Sequence, residues 1–318
     1  MTLDNILEEI KKAETIVILT HETPDGDAIG SSLAMKLALK QLGKNADVII
    51  PKYSRTFNFL PEAKEIKTES EIQKYDLAIS VDCSDLKRLA MGEEYFVTAK
   101  IKIEIDHHSV NTMFGDYNFV NPVAPACCEI LVGMFEYFGI EITPELGTCI
   151  ITGIITDTGG FQYSGVTTET FEFAAELLQK GVNISNVYQK VLSTKTRAHF
   201  ELSRLVSSRM EFYEDGKIAF TYMNLQDEVD TGAEEGDHEG LVEIGRNIEG
   251  VEVSVFIREK EGTNGYKISL RSKEYVNVAD VALMLGGGGH IRAAGCFMQG
   301  TVEEVKQKVL SEIRKVIK

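Results

Sequence analysis

Three short apolar runs, each ending at a polar cluster, constrain the fold of this chain more than any other feature. They cover residues 15–20, 77–81 and 101–105 and are rich in β-branched side chains. The first two are almost continuously apolar, which is typical of buried parallel strands. The third alternates with Lys102 and Glu104, which predicts a half-exposed strand. We therefore predict an α/β fold with a largely parallel sheet flanked by helices.

Histidine and aspartate side chains follow these three strands and one predicted helix. An open α/β sheet binds its ligand beyond the carboxyl ends of the strands, so clusters that are distant in sequence meet there. Carboxylates combined with neutral imidazoles suit Mn²⁺, Zn²⁺ or Fe²⁺, whereas an all-oxygen set suits Mg²⁺ or Ca²⁺. We predict a single metal site in this crevice. The candidate residues are His21, Asp25, Asp27, Asp82, Asp106, His107, His108 and Asp157.

Four of these aspartates match the charge of two divalent cations if one carboxylate bridges both. Two cations about 3.5–4 Å apart can bind the attacking and the leaving oxygen of a phosphoryl displacement. We therefore infer phosphoester hydrolysis. Each pattern alone has a simpler interpretation, because Asp-x-Asp after a strand is often a helix cap and paired histidines are often surface residues. Their combination in order favours a metal site.

The same residues resemble the four motifs of the DHH phosphoesterase superfamily. These motifs occupy residues 21–31, 81–85, 106–108 and 156–159, and residues 286–295 resemble the glycine-rich motif of the associated DHHA1 domain. The resemblance covers nearly the whole chain. The length and the two-domain layout are most similar to the group of oligoribonucleases that are also pAp phosphatases (nanoRNases). That group trims very short oligonucleotides and removes the 3′-phosphate of pAp.

Position by position, the resemblance implies a role for each motif residue. It implies two divalent metal ions, with Mn²⁺ as the expected ion and Asp82 as the bridge. Asp82, His108 and Arg271 are the implied catalytic residues, with His108 facing the scissile phosphate. Asp106 is expected to orient an imidazole from behind the metal ligands. One metal would be bound by His21, Asp25 and Asp82, and the other by Asp27, Asp82, His107 and Asp157. The implied substrate contacts are Arg271, Ser272, Gly287, Gly288, Gly289 and His290.

The charge balance restricts the substrate. The chain has 33 basic and 49 acidic residues and a formal net charge of −16. Proteins that follow long nucleic acids normally carry a basic stripe, and this chain has none. We expect short RNA oligonucleotides or small nucleotides such as pAp, pApA or cyclic di-AMP as ligands, and no long duplex. Arg258, Arg271 and Arg292 are expected to supply local positive charge.

The order of predicted elements indicates two α/β domains. We assign residues 1–184 to a catalytic metal-binding DHH domain, 185–210 to a helical connector and 211–318 to a smaller substrate-binding DHHA1 domain with a mixed sheet. Its last helix is expected to begin at a capping box, Thr301 with Glu304. The glycine run 286–289 predicts a loop that cradles phosphate, with a flexible linker as the alternative.

Several further expectations follow from composition. No stretch approaches the about 20 apolar residues of a membrane-spanning helix, so we expect a cytoplasmic protein without a membrane partner. The five cysteines are expected to be reduced. A homodimer is compatible with the sequence.

Other functions compete with the short-RNA interpretation. A cyclic di-AMP or pApA phosphodiesterase would use the same site residues with a different pocket. An inorganic pyrophosphatase would not need the His290 motif. A nucleotide-binding sensor without turnover would be expected to have lost a metal ligand, and all six predicted ligand positions are filled.

Overall fold

The computed structural model describes residues 2–163, 165–234 and 236–318. It divides into two compact units, with the boundary between Thr194 and Lys195. The predicted connector, 185–210, therefore contributes residues to both units. Within the described residues, no helix has the length and apolar character needed to cross a membrane.

The first unit is built on a five-stranded parallel sheet with the strand order β2-β1-β3-β4-β5. All three strands predicted from apolar runs are present and are neighbours in the sheet. The strands are β1 (Ile16–Leu19), β2 (Ala46–Val48), β3 (Leu77–Val81), β4 (Ile101–Asp106) and β5 (Tyr117–Val120).

Helices flank this sheet, as predicted. Among them, α2 and α5 pack closely, because Gly30 of α2 has no side chain. An added Cβ at Gly30 would lie 2.6 Å from the carbonyl oxygen of Cys149 in α5. The helices are α1 (Leu3–Lys12), α2 (Gly26–Gln41), α3 (Glu93–Thr98), α4 (Cys127–Tyr137), α5 (Pro144–Asp157), α6 (Thr168–Gln179) and α7 (Ile184–Tyr188). A 3₁₀ segment, Leu86–Gly92, follows β3.

The second unit contains a six-stranded mixed sheet with the order β10-β11-β9-β8-β7-β6. Only β7 and β8 pair in parallel; the other neighbours are antiparallel. The strands are β6 (Glu211–Tyr213), β7 (Ile218–Met223), β8 (Val253–Glu259), β9 (Gly265–Ser272), β10 (Gly288–His290) and β11 (Ala293–Gln299).

The helices of the second unit are α8 (Arg197–Ser208), α9 (Leu225–Thr231), α10 (Leu241–Arg246), α11 (Val278–Met284) and α12 (Val302–Arg314). The predicted capping box at the start of α12 is confirmed: the Thr301 hydroxyl accepts from the Glu304 amide, and the Glu304 carboxylate accepts from the Thr301 amide.

Two local predictions are wrong. Strand β4 is not half-exposed along its length, because the side chain of Glu104 is fully buried. Its carboxylate is satisfied by hydrogen bonds from Asn111 and from the Phe114 amide. The glycine run is not a loop throughout, because Gly288 and Gly289 belong to the exposed edge strand β10. An added Cβ on Gly289 would lie 2.5 Å from the Cα of Ala294, so close pairing with β11 explains the absence of a side chain there.

Candidate metal centre

Acidic and imidazole side chains meet at the carboxyl edge of the first sheet. Nε2 of His21 lies 3.6 Å from Oδ2 of Asp82, and Nε2 of His107 lies 3.4 Å from Oδ1 of the same aspartate. His107 Nε2 is also 3.2 Å from Oδ2 of Asp157 and 4.0 Å from Oδ2 of Asp27. Side chains from three strand ends and two helices therefore share one small volume.

Three overlapping groups in this volume could each hold a metal ion. Within each group the donor atoms lie within 4.8 Å of one another. Asp82 belongs to two of the groups, and His107 also belongs to two. The groups are His21 with Asp25 and Asp82, Asp27 with His107 and Asp157, and Asp82 with His107 and His108. The structure thus brings together all six residues predicted as metal ligands.

Backbone geometry at Asp25 and Asp82 positions two of the carboxylates. Asp25 is the N-cap of α2, and its Oδ1 accepts from the amides of Asp27 at 3.0 Å and Ala28 at 3.1 Å. Asp82, directly after β3, has a φ of +52°. This left-handed conformation is unfavourable for a residue with a Cβ, by about 1–3 kcal/mol, and such strain is concentrated at functional sites.

The carboxylate of Asp27 is fully buried and held by the start of α4. It accepts from the amide of Cys127 at 2.5 Å and from that of Cys128 at 2.9 Å. Amides at a helix N-terminus favour a negative charge. Gly153 of α5 makes room for this carboxylate, because an added Cβ would lie 2.3 Å from Oδ1 of Asp27. A glycine in the middle of α5 is therefore part of the site.

The electrostatics of the cluster show an excess of buried negative charge. Burial, together with the neighbouring charge of Asp82, raises the pKa of Asp27 to about 7. Burial and the carboxylate of Asp25 raise the pKa of Asp157 well above its usual range. Burial also acts on Asp82, but the imidazoles of His107 and His21 hold the pKa of that carboxyl below its usual range. Crowded carboxylates of this kind either bind protons or are neutralised by cations.

Two buried atoms in the cluster support cation binding. Oδ1 of Asp82 and Nδ1 of His21 are inaccessible to solvent and, among the residues that the structure describes, have no hydrogen-bond partner. A buried carboxylate oxygen without a donor is costly unless another positive group meets it. The donor set of carboxylates and imidazoles suits Mn²⁺, Zn²⁺ or Fe²⁺. The residues present therefore fit a divalent metal centre.

Two further histidine contacts fix ring orientation. Nδ1 of His108 lies 2.7 Å from Oδ1 of Asp106, which is fully buried, and Nδ1 of His107 lies 3.2 Å from the carbonyl oxygen of Ala124. In His107, Nε2 is then the ring nitrogen that faces Asp82 and Asp157. Metal-bound and catalytic imidazoles typically have such a partner, which selects the tautomer.

Neighbouring motif residues have structural contacts instead. Asp85 caps the 3₁₀ segment after β3, and its Oδ1 accepts from the amide of Lys87 at 2.9 Å. Cys83 is buried, and burial raises the pKa of its thiol to about 12. A thiol this weakly acidic is a poor ligand.

The predicted substrate residues of the second unit lie around β9 and β10. Nε of Arg271 donates to Oε1 of Glu243 at 2.8 Å, and Nη1 donates to the carbonyl oxygen of Leu270 at 3.1 Å. Ser272 is buried, and its hydroxyl donates to the carbonyl oxygen of Ile291. Gly287 precedes the exposed edge strand that contains Gly288, Gly289 and His290.

The other two arginines expected to supply positive charge have partners within the second unit. Nη1 of Arg292 donates to the carbonyl oxygen of Val276 at 2.8 Å, and Nη2 donates to that of Glu274. Arg258 lies 2.9 Å from Nδ1 of His238. Arg292 therefore stabilises the loop between β9 and α11.

Sequence reasoning missed two residues behind the metal cluster, Glu104 and Asn111. Asn111 donates to both Glu104 and Asp106. The only sequence signal was a turn-forming residue three positions after the His-His pair. It also missed the glycines that allow α2 and α5 to approach.

Comparison with known proteins gives matches across the chain. The pattern of the DHH family, N-terminal domain, matches residues 15–154, and that of the DHHA1 domain matches residues 215–318. The chain is 36% identical over 315 residues to the bifunctional oligoribonuclease and PAP phosphatase NrnA of Thermus thermophilus, which covers 97% of this chain and 92% of that protein. It is 26% identical to the cyclic-di-AMP phosphodiesterase PdeA of Listeria monocytogenes, over 96% of this chain but 48% of that protein.

A solved structure is similar over the same extent. The crystal structure of an exopolyphosphatase-related protein from Bacteroides fragilis superposes with a TM-score of 0.91 at 30% identity, covering 98% of this chain and 95% of that one. The family patterns match both units, and the Thermus relative matches nearly the full length. The chain therefore belongs to the DHH family, with a DHHA1 domain following the DHH domain.

Proposed function

We propose that this protein is a metal-dependent phosphoesterase that hydrolyses short oligoribonucleotides to mononucleotides and removes the 3′-phosphate of pAp. The observation that carries the proposal is the convergence of His21, Asp25, Asp27, Asp82, His107 and Asp157 at one sheet edge. The near full-length similarity to an oligoribonuclease and PAP phosphatase supports the choice of substrate.

Two divalent cations, with Mn²⁺ as the expected ion, would be held by these six residues. His21, Asp25 and Asp82 form one ligand group, and Asp27, His107 and Asp157 form the other, with Asp82 between them. Such cations polarise a phosphoryl oxygen and acidify water at neutral pH. The excess of buried carboxylates supports two ions rather than one, because one divalent charge would leave two carboxylates unbalanced.

Residues of the chain provide the remaining steps. His108, whose Nδ1 is held by Asp106, donates from Nε2 to an oxygen of the scissile phosphate and stabilises the charge that develops there. The two carboxylate oxygens of Asp82 contact both ligand groups and so fix the distance between them. The arrangement in a buried, low-dielectric position strengthens each of these interactions.

The second unit supplies substrate recognition in this proposal. Arg271 is anchored through Nε by Glu243 and through Nη1 by the Leu270 carbonyl oxygen, so Nη2 would donate to a phosphate oxygen. His290 and the exposed strand with Gly288 would bind the terminal nucleotide. The buried Ser272 would support them through its hydrogen bond to the Ile291 carbonyl oxygen. Glycines allow backbone amides to approach a phosphate closely.

Cyclic di-AMP or pApA hydrolysis is the second candidate function. It is favoured by the similarity to PdeA, which extends over nearly all of this chain. The metal centre would act identically on either substrate. Because the Thermus relative matches at higher identity and over nearly its whole length, short RNA and pAp take precedence.

A turnover panel tests the proposal. The purified protein with Mn²⁺ would be assayed on pAp, a dinucleotide RNA, pApA, cyclic di-AMP and pyrophosphate. We expect the highest kcat/KM on the dinucleotide RNA and pAp. A higher kcat/KM on cyclic di-AMP would replace this function with the second candidate. Turnover of pyrophosphate alone, or binding of nucleotide with no turnover of any substrate, would contradict both.

A further inference from the structure

A polar network beside His108 joins the half-buried Asn111 to two buried carboxylates, Glu104 and Asp106, and includes residues without a role in the reaction described so far. Nδ2 of Asn111 donates to Oε1 of Glu104 at 2.6 Å and to Oδ2 of Asp106 at 2.7 Å. The other oxygen of Asp106, Oδ1, lies 2.7 Å from Nδ1 of His108. A single amide group therefore links two carboxylates, and one of those carboxylates holds the imidazole.

The orientation of the Asn111 amide is determined by its own contacts. Its Oδ1 accepts from the amide of Met113 at 2.6 Å. Because the oxygen is used there, the NH₂ group faces the two carboxylates, and an NH₂ group has two donor hydrogens. Met113 has a φ of +52°, so this contact also closes a tight turn. The amide oxygen of Asn111 thus accepts a hydrogen bond within the turn, and its NH₂ group donates to both carboxylates.

The two acids need a neutral link. Glu104 and Asp106 are both fully buried, and they lie two positions apart on β4, which places them on the same face of the strand. Within the described ranges, no lysine or arginine nitrogen lies within 4.0 Å of either carboxylate. Buried like charges repel, and each carboxylate oxygen left without a donor is costly. The amide of Asn111 is the donor that both carboxylates share.

We propose that Asn111 is a positioning residue for phosphoester hydrolysis: its amide holds the Asp106 carboxylate in the orientation that fixes the ring of His108 against the substrate. The inference rests on the proposed function, in which His108 contacts the scissile phosphate. Asn111 acts through Asp106 and touches neither substrate nor metal ligands. Glu104 holds Asn111 from the opposite side, and its second oxygen accepts from the amide of Phe114 at 3.0 Å.

Two variants of Asn111 distinguish an effect on the orientation of Asp106 and His108 from an effect on the turn at Met113. Asn111→Ala removes the donors and the turn contact together. Asn111→Asp keeps an acceptor for the Met113 amide and replaces both donors by a carboxylate oxygen that repels Glu104 and Asp106. The matched control is Asn118→Ala. Asn118 also forms a local turn, with Oδ1 accepting from the Gly115 amide at 2.7 Å and Nδ2 donating to the Gly115 carbonyl at 2.9 Å, but neither bond involves a carboxylate.

The readouts are bound Mn²⁺, kcat and KM on a dinucleotide RNA and on pAp, and the side-chain ¹H–¹⁵N spectrum of the Mg²⁺-loaded protein. We expect both Asn111 variants to retain metal, to keep KM close to wild type and to lose about 10–100-fold in kcat, the usual effect of removing a partner behind the ligands. The His108 Nδ1–H signal should shift or disappear in both variants. Asn118→Ala should leave kcat and this signal unchanged.

The contradicting results are also distinct. A wild-type kcat in Asn111→Asp, an unchanged His108 signal, or an equal loss in Asn118→Ala would overturn the role of Asn111. If the wild-type protein hydrolyses no member of the substrate panel, the proposed function fails, while the His108 signal still decides whether Asn111 positions that ring.

Discussion

Adding one methyl group at Gly153 should damage both the stability and the metal centre of the first unit. A Cβ at this position would lie 2.3 Å from Oδ1 of Asp27 and 2.4 Å from Sγ of Cys128. Asp27 cannot move away without losing its hydrogen bonds from the amides of Cys127 and Cys128. The added methyl group would therefore clash with the Asp27 carboxylate, which the amides of α4 hold in place.

The magnitude follows from two opposing effects. Replacing glycine by alanine inside a helix normally stabilises by about 0.5–1 kcal/mol. Overpacking a core position destabilises by about 1–3 kcal/mol. The mid-range values, about 0.75 and about 2 kcal/mol, leave Gly153→Ala with a free energy of unfolding lower by about 1.25 kcal/mol and the Tm of a unit of this size lower by about 2.5–5 °C. Affinity for Mn²⁺ should fall as well, because the Asp27 carboxylate is displaced.

Gly133→Ala is the matched control. Gly133 also lies inside a helix, α4, and an added Cβ there meets nothing within 4 Å. It should raise the Tm slightly and leave metal binding unchanged. Calorimetry of the metal-free proteins and Mn²⁺ titration measure both quantities. A Gly153→Ala protein as stable as Gly133→Ala, with wild-type Mn²⁺ affinity, would refute the claim that this close approach shapes the site.

Three further results are expected. We expect His290→Ala and Arg271→Ala to retain bound metal and to lower kcat/KM on a dinucleotide by about 10²–10³-fold, measured by metal analysis and initial rates. Loss of metal in either variant would contradict the assignment of these residues to substrate recognition. Asp85→Ala should cost only about 1 kcal/mol of stability, because Asp85 caps a 3₁₀ segment, and a large loss of turnover would contradict this. RNA of two to about five residues should be hydrolysed with much higher kcat/KM than a twenty-residue strand. The reason is that a protein with a net charge of −16 and no tryptophan offers few contacts to nucleotides far from the cleaved bond. A rate that rises with RNA length would instead indicate a processive exonuclease.

The sequence predicted elements whose cause is local. The run 77–81 is strand β3 without a change of bounds, and the capping box at Thr301 starts α12 as expected. A β-branched apolar run and a cap are signals contained within a few residues.

The errors arise from contacts with residues outside the predicted segment, which lie a few positions further along the chain. Glu104 was expected on an exposed face because charged residues alternate along β4, yet Asn111 and the Phe114 amide satisfy it in the core. Gly288 and Gly289 lack strand propensity, and only pairing with β11 makes them a strand.

Some features of the candidate site were also predictable from local sequence, and others were not. The positions after β1, β3 and β4 could be read from the sequence, because parallel neighbouring strands end at one edge. What holds Asp27 could not, because its amide partners lie 100 and 101 residues away in α4. The glycine that makes room for it lies in a third segment, α5.

We propose that six side chains would hold two divalent cations, with Asp82 shared by both ligand groups, and that phosphoester hydrolysis requires these cations. The most direct test is to add Mn²⁺ stepwise to the metal-free protein while measuring bound metal and the hydrolysis of a dinucleotide RNA. We expect no turnover without metal, full activity at two bound ions per chain, and loss of both ions and turnover in Asp82→Ala. Full activity at one bound ion, or two tightly bound ions in Asp82→Ala, would contradict it.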